Sequence, residues 1–161
     1  MIDYLLPDTL QRLSAFWMER SIISLPNSVN ALKRFETENG INLPQDIFHF
    51  YKLFDGMPPV YPHDTDENGF SFKNLVDMRV VQGYYGIWDG YQFQKVYTNV
   101  LPFCDYMQSS WEYAFVFPLN NITMYEVCIM PTQDKLTPIC DRLSTFLSYY
   151  MNDDKAIYTY K

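Results

Sequence analysis

The stretch of residues 31–57 constrains the fold more than any other part of this 161-residue chain. It reads ALKRFETENGINLPQDIFHFYKLFDGM, so two runs of apolar residues at helical spacing are separated by Gly40 and by a Leu-Pro pair. A glycine after the last turn adopts the left-handed conformation that ends a helix, and a proline is compatible with the first position of the next one. The stretch therefore predicts two short amphipathic helices joined by a tight link. Such a hairpin needs another surface to cover its apolar faces.

The first helix of the hairpin is expected to begin near Asn27 or Ser28, because either side chain can cap the free N–H groups of a first turn. Its apolar side chains fall on one face: Val29, Leu32 and Phe35. Its charged side chains are expected to face water: Lys33, Arg34, Glu36 and Glu38. Gly40 is expected to end it.

The second helix is expected to begin at Leu43-Pro44, with Pro44 in the first helical position, where the missing N–H would have had no partner. The spacing i, i+3, i+4, i+7 predicts its buried stripe: Ile47, Phe50, Tyr51 and Phe54. Gly56 and the prolines at positions 58 and 59 are expected to stop it.

Outside the hairpin, we expect a helix from Pro7 or Asp8 to about Arg20 and a last helix over 139–151, opened by Thr137-Pro138. A loop over 57–69 precedes segments rich in Val, Tyr, Phe and Ile, which predict strands at 75–81, 91–97, 100–103, 113–117 and 123–130. Turns are expected at 86–90 and 119–121. This order indicates an α+β fold with a mainly antiparallel sheet of about five to six strands, on which N-terminal helices and a C-terminal helix pack. We expect a single domain over residues 1–161.

The net charge of −7 is concentrated in the middle of the chain, where residues 55–134 carry ten acidic and three basic side chains. Nucleic acid is therefore not an expected ligand, because phosphate binding needs a basic surface. Complementary charge steers the encounter between proteins, so a basic protein partner fits this distribution. The alternative is a solvated acidic surface that only keeps the protein soluble.

The hairpin resembles the signature of the SUKH superfamily, which includes the fungal Smi/Knr cell-wall regulators and many bacterial toxin-immunity proteins. The similarity consists of a helix ending in Phe-Glu-x-x-x-Gly, a Leu-Pro-x-Asp step, and an aromatic-rich helix followed by glycine. The matching residues are Phe35, Glu36, Gly40, Leu43, Pro44, Phe50, Tyr51 and Gly56. Residues 100–105 resemble the middle strand of the family, and 139–151 resemble its last helix. The chain departs from the pattern after Gly56, where Met57-Pro58-Pro59 replaces the usual small residues.

The resemblance implies a SUKH-like fold and a protein that acts by binding another protein rather than by catalysis. It implies an immunity protein that binds and blocks a cognate bacterial toxin domain, such as a basic nuclease, through an acidic surface. The alternatives are a regulatory scaffold of the cell-wall-regulator type and a binding protein unrelated to immunity.

Indole rings next to carboxylates near predicted turns are candidate contacts to such a partner, with the ring as anchor and the acid paired to a partner cation. The acidic residues of the loop before the first predicted strand are further candidate contacts to the partner. The candidate partner-binding residues are Asp64, Asp66, Glu67, Trp88, Asp89, Trp111 and Glu112. The alternative for each indole is one side of a core tryptophan beside a solvated acid.

No other pattern in the chain predicts a chemical site. Residues 64–69 match the first half of a calcium loop but lack its closing glutamate, since Leu75 stands at the twelfth position, so an acidic turn is favoured. The three cysteines are expected to be buried and reduced, and His49 and His63 are expected to bind no metal. We expect no cofactor, no membrane span, a cytoplasmic location, and a monomer or a weak homodimer.

Overall fold

The computed structural model describes residues 2–82, 88–89, 92–93, 97–118, 124–132 and 135–158, with side chains at all of these positions except 82, 88–89, 92–93, 97–98, 132 and 135. The described residues form four α-helices, which are Leu6–Glu19 (α1), Val29–Asn39 (α2), Gln45–Leu53 (α3) and Leu143–Met151 (α4). The strands are Phe70–Phe72 (β1), Val81–Gln82 (β2), Trp88–Asp89 (β3), Gln92–Phe93 (β4), Tyr97–Tyr106 (β5), Trp111–Pro118 (β6), Glu126–Thr132 (β7) and Lys135–Cys140 (β8). Leu75–Asp77 and Lys155–Tyr158 are 3₁₀ turns.

The main sheet is antiparallel, in the order β1-β5-β6-β7-β8, and β2 pairs with β5 farther along the same edge as β1. β3 and β4 form a separate two-stranded pair. The structure therefore confirms the predicted α+β fold, with N-terminal helices, an antiparallel sheet and a C-terminal helix.

Successive side chains along each strand point to opposite faces of the main sheet. Buried side chains occur on both faces. One face packs against the helices through an aromatic core in which Phe103 stacks on Phe115 at 4.0 Å and meets Phe146 of α4 edge-on at 5.2 Å between ring centroids. The other face buries a smaller cluster: Val100, Ala114, Val116, Cys128, Met130 and Leu136. The two faces explain why β6 shows an almost unbroken run of buried residues rather than a simple alternation.

The αα-hairpin forms as predicted at its first cap and its glycine. Ser28 Oγ accepts the Ala31 N–H at 3.1 Å, and Gly40 has a left-handed φ of 65°. Glu36, however, was expected to face water and is only 8% exposed. Its Oε2 accepts the Leu43 N–H at 2.7 Å and its Oε1 lies 3.1 Å from Lys33 Nζ. Glu36 is buried because it satisfies a backbone donor in the link between α2 and α3.

Pro44 is the N-cap of α3 and not its first helical residue, with φ −52° and ψ 148°. The extended ψ makes Pro44 the last residue of the link, and the helix begins at Gln45. The predicted stripe of α3 is confirmed for Ile47, Phe50 and Tyr51, which have no exposed surface, while Phe54 is partly buried at the C-cap.

The predicted strand at 75–81 is wrong over most of its length. β1 at Phe70–Phe72 enters the sheet before the predicted segment, Leu75–Asp77 forms a 3₁₀ turn, and only Val81 of the prediction lies in a strand, as the first residue of β2. That turn is held by Asp55, whose Oδ1 accepts the Leu75 N–H at 2.7 Å, so a distant side chain replaces the strand pairing. The strand-like composition of the segment could not reveal this contact.

The last helix begins at Leu143 and not at Ile139, because Lys135–Cys140 is an edge strand of the sheet. Pro138 pairs in register with Cys128 in this strand. Proline is tolerated there because an edge strand has one side free of ladder hydrogen bonds. The predictions at 100–103, 113–117 and 123–130 fall on β5, β6 and β7. The turn at 119–121 and most of the strand at 91–97 lie outside the described residues, and so does the turn at 86–90 except for Trp88–Asp89, which form β3.

Replacing Glu36 should destabilise the fold, because the buried Leu43 N–H would lose its acceptor. We expect Glu36→Ala to lower the free energy of unfolding by about 2 kcal/mol, and Glu36→Gln by less, since its amide oxygen can still accept the bond. Urea unfolding followed by circular dichroism measures both. Glu38→Ala, at an exposed position of the same helix, is the control and should change stability by less than about 0.5 kcal/mol. Equal effects of the two alanine variants would contradict the role given to Glu36.

Two glycines with similar backbone angles should respond differently to alanine. A Cβ at Gly40, where φ is 65°, would meet no atom within 4 Å, whereas a Cβ at Gly56, where φ is 68°, would lie 2.3 Å from the Lys73 carbonyl oxygen. Gly40→Ala should therefore cost only the strain of a left-handed side chain, about 1 kcal/mol. Gly56→Ala adds a clash with the backbone after β1 and should cost more than about 3 kcal/mol. Equal melting temperatures would refute this packing argument.

Candidate protein-binding surface

The acidic loop and the β5–β6 hairpin lie together at one end of the sheet. The Met107 N–H in the hairpin turn donates to the Gly69 carbonyl oxygen at 2.9 Å, and Ser71 Oγ of β1 donates to the Asp64 carbonyl oxygen at 2.6 Å. These bonds bring carboxylates from separate parts of the chain to the same region. We call this region the acidic end and define it by Asp64, Glu67, Asp105, Glu112 and Asp153.

Asp66 differs from its neighbours in the loop, because its carboxylate is used inside the protein. Its Oδ1 accepts the Phe70 and Asn68 N–H groups at 2.9 and 3.0 Å, and its Oδ2 accepts the Tyr150 hydroxyl at 2.6 Å. Tyr150 in turn accepts the Trp17 Nε1–H at 3.0 Å. Burial raises the pKa of the Asp66 carboxyl, an effect that the hydrogen bond from Tyr150 partly offsets. Asp66 therefore anchors the loop, whereas Glu67 is exposed and Asp64 is partly exposed.

Glu67 is exposed and forms an ion pair with Arg20 at the end of α1, with 3.2 Å between Glu67 Oε1 and Arg20 Nε. The guanidinium also lies over the Phe16 ring, 3.5 Å from its centroid, and Nη1 donates to the Phe16 carbonyl oxygen at 3.1 Å. The cation is held in place by its own helix. An exposed ion pair of this kind contributes little to stability, so a partner cation could replace Arg20 at small cost.

Trp111 is half-buried and stacks on Tyr106, with 4.4 Å between ring centroids and 26° between planes. Tyr106 also meets the Tyr158 ring at 5.6 Å, and the Tyr158 hydroxyl donates to Asp153. The indole is thus part of an aromatic group at the rim of the core. The Trp111 Nε1 atom is buried and the side chain as a whole is half-buried, so only part of the indole can contact a partner.

Glu112 follows Trp111 on β6 and pairs with Lys73, and both side chains are partly buried. It stands opposite Asp105 of β5 in the sheet register. Asp105 Oδ2 accepts the Ser109 N–H at 3.0 Å, which fixes the hairpin turn. Two carboxylates therefore share this part of the surface with one lysine, and the local charge stays negative.

The turn between β5 and β6 carries three consecutive non-glycine residues in the left-handed region. Met107, Gln108 and Ser109 have φ values of 50°, 53° and 69°. Each such residue costs roughly 1–2 kcal/mol compared with a right-handed conformation. Conformations of this cost persist where the surrounding contacts fix them, and they cluster at functional sites. All three side chains are exposed, so the turn presents them outward at the acidic end.

Two of the sequence-based candidates cannot be assigned to this surface. Trp88 and Asp89 form β3, which pairs with Phe93 and Gln92 of β4, and their side chains lie outside the described atoms. Conversely, sequence reasoning missed Asp105, Tyr106 and Tyr158. The register across the β5–β6 turn places Asp105 opposite Glu112, and the short turn at 107–110 was the signal that could have predicted it.

No group of three or more metal-binding side chains occurs in the described part of the chain. His49 and His63 are exposed. Cys104 and Cys128 are buried free thiols and Cys140 is partly buried. Burial raises the pKa of the Cys104 thiol and raises that of Cys140 to about 12, so these groups stay protonated and unreactive at neutral pH. Residues 64–69 form an acidic turn in which Asp66 Oδ1 accepts the main-chain N–H groups of Asn68 and Phe70.

The described molecule is thus an α+β domain whose distinctive surface is acidic and aromatic. The chain belongs to the SMI1 / KNR4 family (SUKH-1), whose model matches residues 26–149. The match includes the whole αα-hairpin and the signature residues Phe35, Glu36, Gly40, Leu43, Pro44 and Gly56. Membership supports a protein-binding module of the Smi1/Knr4 type. A comparison with curated proteins gave no match. Within the described residues, every helix is too short or too polar to cross a lipid bilayer.

The burial of Asp66 predicts a pH dependence of stability. A carboxyl whose pKa is raised by folding binds its proton more tightly in the folded chain, so its contribution to stability is full below the ordinary value of 3.8 and is lost as the pH rises through the raised pKa. We expect the free energy of unfolding of the wild type, relative to Asp66→Asn, to fall with rising pH in this window and to be constant above it. Urea unfolding from pH 3.5 to 7.5 measures the difference. Asp64→Asn is the control, and a difference that rises with pH would contradict the assignment.

Proposed function

We propose that this protein is an immunity protein, which binds a cognate bacterial toxin domain through the acidic end and neutralises it. The observation that carries the proposal is that carboxylates from the 64–67 loop, both strands of the β5–β6 hairpin and the turn after α4 lie at one end of the sheet, near the half-buried rings of Tyr106, Trp111 and Tyr158. A basic catalytic groove, such as that of a nuclease, is the complementary surface. Family membership supports a protein partner in general.

In this proposal the acidic end replaces the phosphates of the toxin's substrate. The lysines and arginines that bind nucleic acid in such a groove would pair with Asp64, Glu67 and Glu112. Trp111 and Met107 would fill the apolar parts of the groove, since aromatic side chains and methionine are enriched at the centres of interfaces. The fixed backbone of the turn reduces the ordering cost of binding.

A regulatory scaffold of the cell-wall-regulator type is the alternative. Such a scaffold would also bind proteins, but its loss would not expose the cell to a toxin. The two functions therefore differ in the phenotype of a deletion and in gene context.

The proposal is tested by growth rescue. The C-terminal domain of the protein encoded by the neighbouring gene would be expressed in bacteria with and without this chain. We expect the C-terminal domain to kill the bacteria when it is expressed alone and this chain to restore growth. We also expect affinity purification to recover a complex of the two proteins. Absence of killing, or killing without rescue, would overturn the immunity function and favour the regulatory scaffold.

Charge reversal at the acidic end should slow association with the toxin domain. The double variant Asp64→Lys/Glu67→Lys changes the net charge from −7 to −3. We expect the association rate constant to fall at least about tenfold at low ionic strength and to depend less on salt, while the dissociation rate changes little. Surface plasmon resonance at several salt concentrations measures both rates.

The matched control is Asp8→Lys/Glu38→Lys, which makes the same change in net charge at exposed positions of α1 and α2. It should reduce the association rate by no more than about twofold. Equal effects of the two double variants would show that only net charge matters and would remove the 64–67 loop from the interface. Asp66 is kept in both variants because its carboxylate is an internal hydrogen-bond acceptor.

A further inference from the structure

An apolar groove lies along the segment that connects α1 to α2, and none of the residues that define the acidic end line it. It consists of two adjoining depressions of about 430 and 380 Å³, both lined by Ile23 and Ser24. Four aliphatic side chains at its walls are unusually exposed: Met18 73%, Ile23 72%, Leu25 68% and Val76 72%. Contiguous exposed apolar surface of this kind marks an interaction site, whereas single exposed apolar residues need no explanation.

The floor of the groove is built from the core. Trp17 and Met57 line it and are almost fully buried, and Gly56 lines it at a position where an added Cβ would clash with the carbonyl oxygens of Phe72 and Lys73. Trp17 also meets Phe54 edge-on, with 5.5 Å between ring centroids. The groove is therefore preformed, and a ligand would not have to order it.

The connecting segment also offers main-chain hydrogen-bonding groups. The Ile22 N–H donates to Trp17, and the Leu25 carbonyl oxygen accepts the Asp55 N–H at 2.7 Å. Between these two anchors, the backbone groups of Ile23 and Ser24 make no hydrogen bond to the described residues. The Ser24 hydroxyl is buried and likewise has no partner among them. Free donors and acceptors beside apolar pockets are what a peptide chain recognises when it lies along a protein segment.

The charge of the groove indicates which peptide would fit. Its lining includes the carboxylates of Asp55 and Asp77 and no lysine, arginine or histidine. Asp55 is used internally, since its Oδ1 accepts bonds from Asn27 and Leu75, whereas Asp77 is exposed. Arg79 lines a third depression, which lies outside the groove and shares Val76 with it. Its Nη1 donates to the carbonyl oxygens of Val76 and Met78. Asp77 is therefore the carboxylate of the groove that is available to pair with a lysine or arginine of a bound peptide.

We propose that this groove binds a peptide segment of a protein partner, one that carries apolar side chains together with a basic residue. Its apolar side chains occupy the two depressions beside Ile23, its backbone bonds to the connecting segment, and its cation pairs with Asp77. The site is a second contact surface, which shares no lining residue with the acidic end.

The test uses random 12-residue peptides displayed on phage and selected on the full chain. The enriched peptides are expected to contain at least two aliphatic or aromatic residues and a lysine or arginine. Fluorescence anisotropy with synthetic copies of these peptides should give a dissociation constant at least about tenfold higher for Ile23→Ser/Val76→Ser than for the wild type. The reason is that the double variant loses two apolar side chains that line the groove. Asp77→Asn should weaken binding more at low salt than at high salt.

Leu5→Ser is the matched control, since Leu5 is another exposed apolar residue and stands at the opposite end of α1, about 20 Å away along the helix. It should leave peptide binding unchanged. Thermal unfolding should show that all variants remain folded, because the substituted side chains are exposed. The proposal is overturned if no peptide is enriched or if the enriched peptides bind the double variant as well as the wild type. Sedimentation that shows a dimer abolished by Ile23→Ser/Val76→Ser would assign the groove to a second copy of this chain and would also overturn it.

Discussion

The chain of hydrogen bonds from Trp17 through Tyr150 to Asp66 is the contact on which the arrangement of the molecule depends. It joins α1, α4 and the acidic loop at a single point beneath the surface. Each group in it would be costly to bury alone, because an unpaired polar atom in the interior loses its hydration without compensation. The loop is thereby held against the helical layer, while the hydrogen bond from the Met107 N–H to the Gly69 carbonyl oxygen holds it beside the β5–β6 turn.

A second tyrosine–aspartate pair performs the same task at the other end of α4. Tyr125 donates to Asp46 of α3 and accepts the Leu143 N–H, the first of α4, at 2.8 Å. α4 is thus tied at its beginning to α3 and at its end to the acidic loop. Burial raises the pKa of both aspartates, with the tyrosine hydrogen bond acting in the opposite direction in each case. The helical layer and the loops gain a fixed relative position from two polar contacts rather than from apolar packing alone.

The sequence pattern correctly predicted the structural features that depend on interactions between residues close together in the chain. Ser28, Gly40 and the stripe of α3 follow from capping, backbone conformation and helical spacing, which act within a few residues. The errors share a different cause. Glu36 and the 3₁₀ turn at Leu75–Asp77 are determined by partners that are distant in sequence or lie across a link. β8 became a strand because it pairs with β7, although Pro138 resembled a helix start. The acidic end itself could be predicted only in part, since its loop and its hairpin are brought together by the Gly69–Met107 contact.

Not every carboxylate at the acidic end or in its loop is free to pair with a cation of a partner protein. Of the candidate carboxylates, Asp66 is bound internally, and Glu67 and Glu112 already have the cations Arg20 and Lys73 beside them. A partner would therefore exchange ion pairs with this surface, and it would do so only where its own cations have the right spacing. Such an exchange adds modest affinity, because the existing pairs must be given up, but it strongly disfavours partners with misplaced charges. In the complex that we propose, selectivity would thus follow from the positions of Arg20 and Lys73 as much as from those of the acids.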